Sequence, residues 1–301
     1  MKERDSILGH IACFTAYLIF GLNIIVCKDL TSSNAISPLA LFTLRSLGAG
    51  ALIWYISFIK PKESVERHDL PKILAASVLG FFLTQITFLM AISQITPMDC
   101  SIVASLSPLY TMFIAAFTLK EPISAKKVGG VVLSLCGILY LIINSVTATS
   151  TTIQTTPVGV LLIVANSLCF SLYLGIFKPK IGKYSVITFM KWIFLFSSLM
   201  TLPFTATEIV KTEFLALPLS FIAELAFLII CATFVTYFLI PVGQKLLRPT
   251  LVSMYSYVQP VVAVVLRVCV GMDTLTWQKI LAAITVFSGV VIVSYSRSKN
   301  V

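Results

Sequence analysis

Apolar residues along this chain gather into long runs, with polar residues collected in the short gaps between them. A helix that crosses a bilayer needs about 20 consecutive, mostly apolar residues. Ten such runs can be drawn, at roughly 7–27, 38–59, 70–92, 97–118, 127–144, 157–177, 185–205, 221–241, 250–270 and 276–296. Ten spans use about 200 residues, which leaves short connections and no separate soluble domain. The first run follows Lys2 and Arg4. It is longer than the apolar core of a signal peptide and no A-x-A cleavage pattern follows it, so it reads as a retained span.

The pattern is written twice. Residues 97–109 read PMDCSIVASLSPL and residues 249–261 read PTLVSMYSYVQPV. At the same offset of 152 positions, Pro97 falls on Pro249, Ser101 on Ser253, Pro108 on Pro260, Glu121 on Asp273 and Gly137 on Gly289. Gln85 falls on Tyr237 and Lys28 on Lys180, and Arg45 corresponds to Lys191 if the loop before it is six residues shorter in the second copy. Each half, 1–148 and 153–301, therefore carries five spans. An odd number per half inserts the second copy upside down. The sequence predicts an all-α membrane protein of ten transmembrane helices, arranged as two inverted five-helix repeats around a central cavity. Inverted repeats of this kind build many secondary transporters, with the site near the midplane.

Composition agrees with a lipid solvent. Of 301 residues, 58% are apolar and 11% charged, and the mean hydropathy is +0.99; soluble domains carry about a quarter charged residues. With both termini placed inside, 16 of the 22 Lys and Arg residues fall on the inner side and four on the outer, while Arg45 and Lys191 lie within spans. That bias puts both termini in the cytoplasm. It also accounts for the net charge of +10 by membrane orientation, without nucleic acid. The same bias explains why the two copies differ in charge. The outer loop before Pro97 reads SQIT, and its inner counterpart before Pro249 reads KLLR. The seven cysteines are scattered singly, no C-x-x-C occurs, and His10 and His68 are the only histidines, so neither a disulfide framework nor a metal site is expected. No Walker A segment is present, and no cofactor is expected.

Several stretches resemble the drug/metabolite transporter superfamily, specifically its EamA-type ten-span members. FGLNIIVCKDL (20–30) is similar to the W-G-x-N-x-x-x-x-K opening of that family, with Phe20 in place of Trp. LFTLR (41–45) is similar to its span-2 arginine segment. SPLYTMFIAAFTLKEPIS (107–124) and GGVVLSLCGILYLI (129–142) resemble the Pro–Glu–Gly signature of spans 4 and 5. The second copy, 257–293, departs at Arg267, where a small residue is usual, and at Asp273, which replaces Glu. The resemblance covers nearly the whole chain and implies a ten-helix fold, a central pathway and metabolite transport, with export the more usual direction. It does not imply a particular substrate.

Charged and polar residues inside spans are costly, and they mark candidate sites. Arg45 and Lys191 either face the cavity or snorkel to an interface. Ser101, Ser105 and Pro108 share one helical face, and Ser253, Tyr257 and Pro260 repeat that spacing. The serines either line the cavity or allow close packing, and both prolines are expected to kink their helices. Asn23, Gln85, Asn166, Tyr173, Tyr237 and Gln259 are amides and phenols placed well inside spans, each needing a partner or water. None of the twelve acids lies near the centre of a span. In the related small multidrug resistance proteins such a glutamate serves cationic drugs, so its absence here argues against a lipophilic-cation antiporter, and the positive charges of Arg45 and Lys191 within spans suit a substrate carrying a carboxylate or phosphate.

The expected function is secondary transport of a small anionic or zwitterionic metabolite, such as an amino acid. Alternating access across a bacterial-type cytoplasmic membrane would move it. Efflux of amphipathic compounds by the same fold is the alternative. A membrane-embedded enzyme or a non-transporting scaffold belongs to another class. The expected partners are a small-molecule substrate and the lipid bilayer, with a coupling proton open and the assembly a monomer or homodimer.

Overall fold

Residues that avoid β-favouring alternation and run apolar for five or more turns form helices here, and caps written in the sequence set where they start. Ser37, Thr156 and Ser185 each accept a backbone N–H three residues on, at 3.2, 3.0 and 3.2 Å. Pro38 and Pro157 follow two of these caps at the first helical position, where a missing N–H costs nothing. The structure, a computed structural model, describes residues 3–32, 36–60, 63–95, 100, 103–104, 106–145, 156–212, 217–269 and 276–296. Among these, no residue is in a strand.

In chain order the long helices are α1 (Glu3–Ser32), α2 (Pro38–Ile59), α3 (Arg67–Ala91), α4 (Ser107–Leu119), α5 (Ala125–Ser145), α6 (Pro157–Ile176), α7 (Val186–Lys211) and α8 (Leu219–Leu246). α9 runs Pro249–Met254, tightens into a 3-10 turn at Tyr255–Tyr257 and resumes at Val258–Cys269, and α10 is Trp277–Ser294. A short helix, Lys178–Lys183, joins α6 to α7. Among the described residues, six helices, α1, α2, α3, α6, α7 and α8, are long and apolar enough to cross a membrane. The described residues of the other four expected spans are also mostly helical. Of these, α4 covers 13 described residues and α9 is interrupted by its 3-10 turn.

α3 and α8 share an irregularity. Each widens into a π turn, at Val78–Phe82 and at Ile230–Val235, and the two turns begin 152 positions apart. A threonine hydroxyl at each donates five residues back, Thr84 just after the first turn to Leu79 O at 2.6 Å and Thr233 within the second to Leu228 O at 2.7 Å. π turns of this kind are uncommon and concentrate at functional places.

Small residues set the closest helix approaches. α5 lies along α10 with Gly130 and Gly137 facing Val286, Gly289 and Val293, and the Ser134 hydroxyl donates to Val286 O at 2.9 Å. α2 meets α7 through Ser46 and Ser198, whose hydroxyls are 3.0 Å apart, and through Trp54 and Trp192. α3 meets α8 where Gln85 Nε2 donates to the Tyr237 hydroxyl at 2.7 Å. Ser46–Ser198, Gln85–Tyr237 and Ser134–Val286 each join residues 152 positions apart. Around Gln85–Tyr237, Phe81, Phe194 and Phe20 pack edge-on to Tyr237 with centroids 4.8, 6.1 and 5.9 Å away, and they fill the centre of the bundle.

Two proline expectations meet the structure differently. Pro108 sits in the first turn of α4, at a position where its missing N–H has no partner to lose. Pro260 follows the 3-10 turn of α9 by three residues; it lacks the N–H that would reach the Ser256 carbonyl, and the helix changes pitch there.

Candidate functional site

A cavity of about 60 Å³ lies between α1, α3, α6 and α9, lined by Ile24, Phe88, Ile163, Asn166, Ser256, Tyr257, Gln259 and Pro260 together with Cys100 and Ala104. That volume holds a few waters. Its walls are apolar from α1, α3 and the first turns of α6, and polar from α9. The Tyr257 side chain is 1% exposed, and neither its hydroxyl nor the buried Ser256 hydroxyl has a hydrogen-bond partner among the described residues. A buried hydroxyl left unpaired costs about 1–3 kcal/mol, so two of them on residues that line one cavity mark a place where water or a ligand fits. On the opposite wall Asn166 Nδ2 donates to Thr84 O at 2.6 Å, just beyond the π turn of α3, which fixes the amide and leaves its oxygen as an acceptor.

The second polar locus is Arg45. Its side chain is 1% exposed, so it does not snorkel. Nε donates to Thr233 Oγ1 at 2.8 Å, Nη1 to Cys27 Sγ at 3.4 Å and Nη2 to Ala232 O at 3.4 Å, which ties the guanidinium to the π turn of α8 and to α1. Among the described residues it has no acidic partner. Cys27 in turn approaches Asn23 Oδ1 at 3.5 Å. Asn23 and Cys27 flank Ile24, which lines the cavity, so Arg45 and the cavity share the same turn of α1.

The predicted residues therefore separate. Asn166, Tyr257, Gln259 and Pro260 come together at the cavity. Gln85 and Tyr237 bond each other in the aromatic centre, and Gln85 Oε1 has no partner among the described residues. Tyr173 lays its ring over Gly80 in the π turn of α3, where a Cβ would meet ring carbons at 2.3–2.8 Å. Asn23 stands beside Arg45 through Cys27. Ser253 is fully buried and bonds back to Thr250 O at 2.8 Å, a local helix contact. Lys191 is half-buried, with its ammonium 5.4 Å from the centre of the Trp54 ring. Ser101 and Ser105 lie outside the described residues.

Sequence spacing missed Ser256. It lies off the 253–257–260 stripe of an α-helix, but the 3-10 turn advances about 120° per residue instead of 100° and Ser256 lines the cavity beside Tyr257. Ile24, Phe88 and Ile163 carried no signal of their own, because an apolar wall residue is indistinguishable from core.

The model of the EamA-like transporter family matches residues 7–143 and 157–295. The chain is 23% identical over 300 residues to the uncharacterized inner membrane transporter YicL of Salmonella typhimurium, covering 97% of each. It is 25% identical over 206 residues to an uncharacterized transporter of Archaeoglobus fulgidus, covering 68% of this chain and 70% of that one. One crystal structure superposes with a TM-score of 0.74 at 17% identity, covering 95% of this chain and 96% of the other, a likeness of fold.

Proposed function

Because the chain belongs to the EamA-like transporter family, a multi-pass membrane group, we propose that it is a secondary exporter of a small anionic or zwitterionic metabolite. It works by alternating access across a cytoplasmic membrane, as two oppositely inserted five-helix halves with both termini inside. The paired halves are supported by three contacts between residues 152 positions apart and by the two π turns at the same offset. Positive residues concentrated in the loops of one side support the orientation.

The observation that carries the site is the cavity whose α9 wall holds two buried, unpartnered hydroxyls opposite the Asn166 amide. It is built from both matched segments, where a rocking transporter needs it. The preference for an anionic group rests on Arg45. A buried guanidinium without a carboxylate is expensive, and a substrate carboxylate reaching this turn of α1 supplies the missing charge. The apolar walls at Ile24, Phe88 and Ile163 suit an aliphatic or aromatic side group; they also favour amphipathic compounds as the second reading.

Counterflow in proteoliposomes, with a panel of amino acids, organic acids and lipophilic cations, tests the function. Saturable flux of an acid or amino acid that falls at least tenfold in Tyr257→Phe and in Arg45→Ala, at normal protein insertion, is the expected result. Flux of cations alone would move the assignment to amphipathic efflux. Normal flux in both variants would remove the site.

A further inference from the structure

The end of the bundle where α1 begins and α10 finishes is held by ions that the cavity does not use. Asp69, fully buried in the 3-10 turn (Arg67–Asp69) that opens α3, receives Lys180 at 2.5 Å, Lys183 at 2.8 Å and the Tyr184 hydroxyl at 2.8 Å. Beside it, Glu66 pairs with Lys183 at 2.7 Å and the Glu63 carboxylate accepts the Ser185 N–H at 3.0 Å. A second cluster centres on Glu121, 8% exposed, between α4 and α5. Lys127 reaches Glu121 at 2.8 Å, the Thr250 hydroxyl donates to it at 3.3 Å, and Arg248 Nε stands 4.0 Å away. Arg248 also donates to Ser296 O at 2.7 Å, at the close of α10. Lys178, donating to Leu247 O, and Lys245, donating to Tyr184 O at 2.5 Å, bridge the two clusters.

Both clusters join residues of the segment 7–143 to residues of the segment 157–295. Between the Glu121 cluster and the cavity stands the opening of α9. All six residues of Pro249–Met254 are buried, from Arg248 in the cluster to Ser256 and Tyr257 in the cavity wall. The 3-10 turn at Tyr255–Tyr257 is a natural place for such a segment to pivot.

Buried ion pairs are poor stabilisers, because the desolvation of both partners offsets most of their attraction. They are also easy to part if the partners separate into water, where each regains its hydration. Charges kept at a seam between two segments, next to a water-accessible end, therefore suit an element with two nearly balanced states.

We propose that the Asp69 and Glu121 clusters form an ionic latch that seats Pro249–Met254 beneath the cavity and closes the passage at the end bearing both termini. Opening that end requires both clusters to part. The latch rests on the transport reading above, as the inner barrier of its cycle.

The test uses a cysteine-free full-length chain in sealed vesicles, with Ala104→Cys in the cavity wall as reporter. A membrane-impermeant maleimide is added only on the side of the termini. Asp69→Asn and Glu121→Gln are each expected to raise the labelling rate at least tenfold, while Asp69→Glu, which keeps the charge, stays within threefold of the parent. Lys183→Met, at a side chain 38% exposed, provides a variant that folds without a buried gap, and a rise of at least threefold is expected. An unchanged rate in the three neutralised variants would overturn the latch, as would an equal rise for Asp69→Glu and Asp69→Asn. Substrate flux through the parent chain is read separately. Flux without latch-dependent labelling sinks the latch alone, and latch-dependent labelling without flux sinks the transport reading alone.

Discussion

Gly129 and Gly130 are neighbours in α5, yet the structure gives them opposite fates on substitution by alanine. A Cβ at Gly129 meets nothing within 4 Å. A Cβ at Gly130 lands 2.6 Å from Val293 Cγ2, 2.8 Å from the Gly289 carbonyl and 3.2 Å from Val293 N, and two of those three atoms are backbone that cannot rotate away. Replacing glycine by alanine inside a helix gains up to ~1 kcal/mol, so Gly129→Ala should be neutral or up to ~1 kcal/mol more stable. Gly130→Ala has the same gain, but overpacking costs about 1–3 kcal/mol. Pushing α5 off α10 also stretches the 2.9 Å bond from Ser134 to Val286 O, worth about 1 kcal/mol. The two variants should therefore differ by roughly 2–4 kcal/mol. Reversible unfolding in mixed micelles, followed by tryptophan fluorescence, measures that gap. Two variants within ~0.5 kcal/mol of each other, the size of an ordinary surface change, would refute the claim that backbone contact across α5 and α10 sets their packing.

Other outcomes follow from single contacts. Tyr237→Phe removes the acceptor of Gln85 Nε2 and leaves a buried amide unpaired, so it should cost about 1–3 kcal/mol in the same unfolding assay; adding Gln85→Leu should recover most of it. Burial pushes the Lys178 ammonium down to about 8, with Glu121 opposing and Arg248 adding to the effect. The unfolded chain then holds that proton up to the ordinary 10.5 while the folded chain releases it from about 8, so stability rises with pH across that window. Lys178→Met should flatten the rise, as read from unfolding midpoints at pH 7 to 10.5. Gly80→Ala should drive a methyl into the Tyr173 ring and lower stability by about 1–3 kcal/mol, and trimming that ring with Tyr173→Ala should remove the added penalty.

Much of this was legible in the sequence, for reasons that can be traced. Hydrophobic run length gave the long helices, because in lipid a helix must satisfy its own backbone. The 152-residue offset set Gln85 and Tyr237 as counterparts without saying that they touch; the structure bonds one to the other. What escaped were features of pitch and partner. Nothing in VLGFF or ICATFV announces a π turn. The 3-10 turn that brings Ser256 to the cavity looks like continuous helix in the letters. Arg45 and Lys191 read as a matched pair, yet one is enclosed by Thr233, Cys27 and Ala232 while the other leans on Trp54. Their difference depends on which neighbours arrive from other helices, and local sequence does not carry that.

Lys126 and Gln278 stand 152 positions apart, both exposed, at the starts of α5 and α10. The most direct measurement is impermeant-thiol labelling of Lys126→Cys and Gln278→Cys, each alone in a cysteine-free chain in sealed, oriented vesicles. Two oppositely inserted halves predict that Lys126→Cys labels only from the side of the termini and Gln278→Cys only from the other side. Labelling of both from one face would contradict the inverted arrangement, and the passage between the halves with it.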